Sequence, residues 1–266
     1  MRGGRVVWLA AASAGVLGVA YLLLPPMGSD LSAQVARADF FAAHGPALID
    51  FRWYGGVQQF GYSLFAQPVM AVLGVRPTGV LAVVVAAAAF AALLVRARVP
   101  RPLLGSLVGV GTIAGNLVSG RVTYALGVAF GLVALLALTW PAPAGGATRG
   151  AGTARLALAG AGALLASAAS PVAGLFVGLA GVALLLSRRY ADGLALSVAA
   201  ALPLGVTALL FGDGGWMNIS RTDTVRATVT ALLVAALVGY RPVRIGALLA
   251  AGGVVAAAAV HTPAGW

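Results

Sequence analysis

Residues 78–95 read TGVLAVVVAAAAFAALLV, eighteen positions without a charge or a proline, closed on one side by Arg76 and on the other by Arg96. The run is continuous rather than alternating, which fits a helix in an apolar medium and not a strand of a membrane barrel. At about 1.5 Å per residue it nearly matches the ~30 Å hydrocarbon thickness of a bilayer. Lipid offers no hydrogen bonds, so a crossing backbone must satisfy itself as a helix.

Working outward from that stretch, the same signature recurs. Apolar runs lie at 6–24, 102–119, 122–140, 154–169, 171–187, 193–211, 225–240 and 245–260, placed by breakers and charges. The chain of 266 residues is 61% hydrophobic and 9% charged, with a mean hydropathy of +1.00. These values exclude an ordinary soluble domain. The expected fold is an all-α polytopic membrane protein, one transmembrane domain over 1–266. About nine transmembrane helices are expected, with a large first external loop at 25–77 carrying amphipathic helices. Arg2 and Arg5 precede the first run, as they would a signal peptide. Pro25-Pro26 follow it in place of a small-residue cleavage site, so it reads as a retained span. The chain reads either as a complete small protein or as the front part of a longer one.

All seventeen basic residues are Arg, all six acidic residues are Asp, and the net charge is +11. No basic cluster of five or more exists, so no nucleic-acid partner is expected. Nine alternating spans place Arg2, Arg5, Arg96, Arg98, Arg101, Arg149, Arg155, Arg188, Arg189, Arg241 and Arg244 on one side. They place Arg37, Arg52, Arg76, Arg121, Arg221 and Arg226 on the other. Arginine excess marks the cytoplasmic side, so the N-terminus is expected in the cytoplasm of a multi-pass protein of the cell inner membrane. Five carboxylates, Asp30, Asp39, Asp50, Asp213 and Asp223, then fall outside and only Asp192 inside. Segment 62–75 is apolar, short and interrupted by Pro68, and reads as a partly re-entrant helix from about Ser63 to Val75. Gly-xxx-Gly spacings at Gly105/Gly109, Gly111/Gly115, Gly127/Gly131 and Gly174/Gly178 favour close helix packing. In a chain with 37 Gly they mark no function.

The polar stretch from Pro25 to Phe60 holds three of the six aspartates, together with Arg37, Arg52, His44, Trp53 and Tyr54. Ser29 or Asp30 can cap a helix that Gly45 stops near His44. On it Asp30, Gln34, Arg37 and Phe41 form a polar stripe facing a cavity, and Leu31, Val35, Ala38 and Ala42 an apolar one. Ile49, Phe51 and Trp53 then alternate with Asp50, Arg52 and Tyr54, an extended pattern ending at Gly55-Gly56. An arginine fork suits a phosphate. An aspartate suits general-base work on a hydroxyl. The bland alternative is a solvated helix with an aromatic belt and weak surface ion pairs. Asn116, Ser119, Arg121 and Tyr124 sit at a second external turn, where Arg121 either snorkels or faces the same cavity. Phe211-Gly212-Asp213-Gly214-Gly215-Trp216 opens a further external loop that reads chiefly as a turn, and the sequon Asn218-Ile219-Ser220 carries no weight. His44 and His261 lack a carboxylate cluster at ligand spacing, so neither a metal nor a cofactor is expected.

Pro25-Pro26-Met27-Gly28-Ser29-Asp30, followed by Asp50-Phe51-Arg52-Trp53-Tyr54-Gly55-Gly56, resembles the first external loop of the GT-C glycosyltransferase superfamily. The likeness extends to the order of elements: one span, a large loop opening on an acidic residue, then many short-looped spans. The chain also resembles uncharacterised actinobacterial polytopic membrane proteins. The GT-C resemblance implies a polyprenyl-phosphate sugar donor and a glycan or lipid acceptor, besides the membrane lipids. It implies Asp30 as catalytic base with Asp50 as second choice, and Gln34, Arg37, Arg52, Trp53, Tyr54 and Arg121 as substrate-binding residues. Many members carry adjacent acidic pairs, and this chain carries none. A transporter or permease, and a non-catalytic membrane scaffold, are the alternatives. The enzyme requires its charged residues to converge on one outward cavity, whereas a transporter requires a polar path across the midplane.

Overall fold

A computed structural model describes residues 3–52, 56–140, 149–211 and 220–261. Trp53, Tyr54, the 212–216 turn, Asp213 and Asn218 lie outside the described residues. The described chain is all-α apart from one two-residue hairpin. Its elements are α1 (Gly3–Leu23), α2 (Leu31–His44), β1 (Ile49–Asp50), β2 (Val57–Gln58), α3 (Ala66–Leu73), α4 (Val75–Arg96) and α5 (Pro102–Ser119). They continue with α6 (Val122–Ala137), α7 (Arg149–Ala169), α8 (Pro171–Leu186), α9 (Tyr190–Phe211), α10 (Arg221–Leu237) and α11 (Arg241–His261). Six stretches are long and apolar enough to cross a membrane: Gly3–Leu23, Val75–Arg96, Pro102–Ser119, Gly152–Ala169, Tyr190–Phe211 and Arg241–Ala259. The protein is therefore membrane-embedded. The apolar α6 and α8 are shorter, 16 residues each.

Small residues set the packing. The buried ridge of α1 is Val6, Ala10, Ala14, Gly18 and Tyr21. Gly3 meets Val95, and Gly18 meets Val80, so α1 and α4 run antiparallel in close contact. Around them Val83, Ala86, Val110, Ile113, Leu117 and Ala125 build one apolar core from α1, α4, α5 and α6. A second core joins α6 to α9 through Ala134, Ala163, Val177, Leu196 and Ala200. Gly127 and Gly131 press on Ala173 and Val177, whereas Gly111 and Gly115 face open space. α10 and α11 pack on each other, and α11 on α8.

Hydrogen bonds and contacts fix two ends of the bundle. At one end the first turn of α4 meets the last turn of α1, and the α2–α3 cap meets the last turns of α5, α7 and α9. Arg76 donates to the carbonyls of Tyr21 and Leu24, the backbone N–H of Asp30 donates to Ser119 O at 3.2 Å, and that of Leu64 to Ala168 O at 2.8 Å. Gly61 lies beside Phe211. At the other end Arg96 donates to Thr139 Oγ1 at 2.8 Å. Asp192, buried there, accepts from Arg155 Nη2 at 2.6 Å and from Arg189 Nε at 2.9 Å and Nη2 at 2.6 Å. Arg189 Nη1 donates on to Tyr240 Oη at 2.9 Å.

Two sequence expectations need correction. The buried face of α2 is Leu31, Gln34, Ala38 and Phe40, while Val35 and Ala42 are exposed. Leu31 and Ala38 join Ala66, Met70, Val75 and Val122 in a third small core. The inward stripe follows what α3 and α6 offer, and it takes in the amide of Gln34. The helix expected from Ser63 to Val75 is only Ala66–Leu73, ended by Gly74 at φ 84°, after which α4 starts directly at Val75. Eight residues make about 12 Å, well short of a bilayer.

Candidate functional site

The site residues lie where the cap meets the bundle, in two separate groups. The first group is built by two glycines. Gly28 has φ +113° and Gly120 φ +76°, a left-handed region that side chains rarely adopt. A Cβ on Gly28 would stand 2.6 Å from Gly120 N, and one on Gly120 would stand 2.5 Å from Leu31 N. The loop before α2 and the α5–α6 turn thus touch backbone to backbone. That contact places Asp30, at the start of α2, beside Arg121, which leads into α6. Arg121 Nε donates to Asp30 Oδ2 at 3.2 Å, and Ser29 Oγ donates to Oδ1 at 3.0 Å. The Asp30 side chain is 35% exposed and that of Arg121 58%. Asp30 is also the N-cap residue of α2, where the positive helix end favours a carboxylate.

The second group surrounds the hairpin. β1 and β2 pair antiparallel, Asp50 opposite Val57. The Asp50 side chain, 2% exposed, accepts from Arg52 three times. The backbone N–H and Nε reach Oδ1 at 2.9 and 3.0 Å, and Nη2 reaches Oδ2 at 2.9 Å. These side-chain bonds, against the opposing effect of burial, hold the Asp50 carboxyl below the usual carboxylate range, with the Arg52 N–H adding to them. Arg52 in turn lies over Phe40 at 4.9 Å and is pushed up by the same pairing. Arg37 lies over the Tyr62 ring at 4.6 Å, and burial lowers its pKa.

A cavity of about 130 Å³ opens between α2 and the hairpin, lined by Ala33, Ala36, Arg37, Asp50, Val57 and Gln59. The expectation that Asp30 sits at the mouth of one cavity lined by Asp50, Arg52, Trp53, Tyr54 and Arg121 is therefore corrected: among the described residues of that set, Asp50 lines this space and Arg52 and Arg121 do not. Asp30 and Arg121 pair with each other and do not line this space, because Asp30 and Arg37 are seven residues, about 10 Å, apart along α2. Gln34 is buried, its side-chain oxygen has no hydrogen-bond partner among the described residues, and it does not line this cavity.

Sequence reasoning missed three residues. Gln59 is 2% exposed and its side-chain oxygen is without a partner among the described residues. Gln67 donates to the carbonyls of Gln59 and Ser63, and Ser63 donates to Ala168 O at 3.2 Å. Lone amides in an apolar chain carry no motif; their rarity beside a polar loop was the one available signal. Comparison with protein-family models, curated proteins and solved structures finds no match.

Proposed function

We propose that this chain is a membrane glycosyltransferase of GT-C type, moving a sugar from a polyprenyl-phosphate donor on the outer face of the cytoplasmic membrane. In this reading nine helices cross: the six long ones, the shorter apolar α6 and α8, and α10. The N-terminus is cytoplasmic, and α2, the hairpin and α3 lie at the outer face.

The observation that supports it is the Asp30–Arg121 pair, a carboxylate and a guanidinium both open to solvent and held together by a glycine-to-glycine contact. An acceptor hydroxyl gives its proton to Asp30 Oδ2, and its oxygen bonds to the anomeric carbon of the donor sugar. The bond from that carbon to the phosphate oxygen breaks, and the electron pair leaves with the polyprenyl phosphate. Arg121, long and exposed, turns from Asp30 to the phosphate, which frees the base and neutralises the leaving group. Asp50 is the weaker candidate, because a carboxyl with both oxygens bound by Arg52 and a lowered pKa makes a poor base. It anchors the hairpin. The scaffold reading draws on the same fact that both aspartates are paired within the chain.

Purified protein supplied with polyprenyl-phosphate sugars and membrane glycan acceptors separates the two. The native chain should transfer sugar, and Asp30→Asn should lose about 10²–10⁴-fold of the rate, the usual contribution of a general base. Its melting temperature should be unchanged within error, since exposed pairs stabilise by ~1 kcal/mol or less. Equal rates for both proteins would remove Asp30 from the chemistry, and no transfer by either would leave the scaffold reading.

A further inference from the structure

The cavity beneath α2 is not used by the chemistry above. We propose that it binds the phosphate of a membrane phospholipid whose headgroup carries a hydrogen-bond donor, a hydroxyl or an ammonium.

The cation comes first. Arg52, Arg121, Arg155, Arg189 and Arg226 each pair with an aspartate. Arg37 lines the cavity, is largely removed from water, and has no carboxylate partner among the described residues. Tyr62 covers one face of its guanidinium. A desolvated guanidinium without a counter-charge is costly, and a phosphate matches its planar fork.

Two acceptors line the same space. Gln59, nearly fully buried, has a side-chain oxygen without a partner among the described residues. Asp50, also buried, has lone pairs beyond those that Arg52 fills. An acceptor in a low-dielectric wall calls for a donor, and an unmade hydrogen bond there costs more than the bond itself is worth in water. A bare phosphate would meet the Asp50 charge. An ester that places a hydroxyl or ammonium between its phosphate and Asp50 satisfies Arg37, Gln59 and Asp50 together.

Size and position choose among esters. About 130 Å³ is the share of some four water molecules. That admits a phosphate with a short polar arm and is well below the ~300–1,000 Å³ of pockets that enclose a whole small molecule. The remainder of the ligand must project outward. Beside the cavity the hairpin exposes Leu48, Ile49 and Phe51, the last at 75%. Apolar side chains at this end of a membrane bundle suit the boundary between headgroups and acyl chains, within reach of the lipid phosphates. That favours a lipid headgroup over a free phosphate ester.

The test uses the full chain in detergent, with native mass spectrometry of bound phosphatidylglycerol, phosphatidylethanolamine and phosphatidylcholine. Glycerol 3-phosphate is the soluble arm. The choline headgroup keeps the phosphate and has no donor. Phosphatidylglycerol and phosphatidylethanolamine should bind at least about tenfold tighter than phosphatidylcholine, the effect of one charge-assisted hydrogen bond. Arg37→Met should weaken all three lipids, and Gln59→Met should reduce the headgroup preference while phosphatidylcholine binding stays. Should Arg37→Met not fold, Arg37→Lys, which keeps the charge and loses the fork, should still bind more weakly than the native chain. Equal binding of all three lipids by the native protein, or native affinity in a folded Arg37→Met or Arg37→Lys, would overturn the site. Glycerol 3-phosphate binding as tightly as phosphatidylglycerol would keep the phosphate-and-donor chemistry and overturn its lipid source.

Discussion

At the scale of single residues, scarce charges are placed in two different ways. Asp30 is one-third exposed and holds Arg121 through one hydrogen bond. Asp50 is sealed and holds Arg52 through three. The difference has a pH signature. A carboxyl lowered in the folded state contributes its full stability above the ordinary aspartate value, about 3.9, and loses it as pH falls through the lowered value. The hairpin should therefore keep constant hydrogen-exchange protection at the Arg52 and Gln59 amides from about pH 8 down to 5, and lose it only below about 4. A decline between pH 7 and 5 would contradict the pairing. The sequence showed that Asp30, Asp50, Arg37, Arg52 and Arg121 were unusual, because an apolar chain offers little cover for charges. It did not show which would pair. Asp30 and Arg121 are 91 positions apart, and their meeting depends on the positive φ of Gly28 and Gly120. No composition or period announces that.

At the scale of elements, long apolar runs were the most legible feature. The expected run 102–119 is helix Pro102–Ser119, and 171–187 is Pro171–Leu186, each opened by a proline. The helix ending at His44 was legible from Gly45, which takes φ 61° as its cap. The face of that helix was not. Hydrophobicity pointed to Val35 and Ala42, while packing chose Gln34 and Phe40, because α3 and α6 decide what α2 covers. At the opposite end the Arg155–Asp192–Arg189 triad binds α7 to α9 and, through Tyr240, to the turn before α11. Spacing left Asp192 as a lone carboxylate among arginines. Removing a buried partner leaves uncompensated charge, which typically costs about 3–5 kcal/mol. Asp192→Ala should lower the melting temperature measurably in detergent, with loss of α7–α9 contact, whereas Asp223→Ala at an exposed pair should change it little. Equal effects would mean that the triad is not a structural staple.

At the scale of the whole molecule, the two ends of the bundle differ in kind. One carries the cap with Asp30, Asp39, Asp50, Arg37, Arg52 and Arg121. The other carries Arg96, bonded to Thr139, and Arg155 and Arg189, both paired with Asp192. The outward faces of the long helices are mainly apolar, with Leu81, Val108, Leu175, Leu202 and Leu209 exposed. Transfer at Asp30 from a lipid-linked donor on the outer face requires the capped end to be the outer one. The chain has no cysteine, so single-cysteine labelling reads this directly. With a membrane-impermeant maleimide on intact cells whose outer barrier has been removed, Ser29→Cys and Ser220→Cys should label at once. Ser187→Cys and Arg98→Cys should label only after the membrane is permeabilised. The reverse pattern, or labelling of all four from one side, would contradict the orientation on which the proposed function stands.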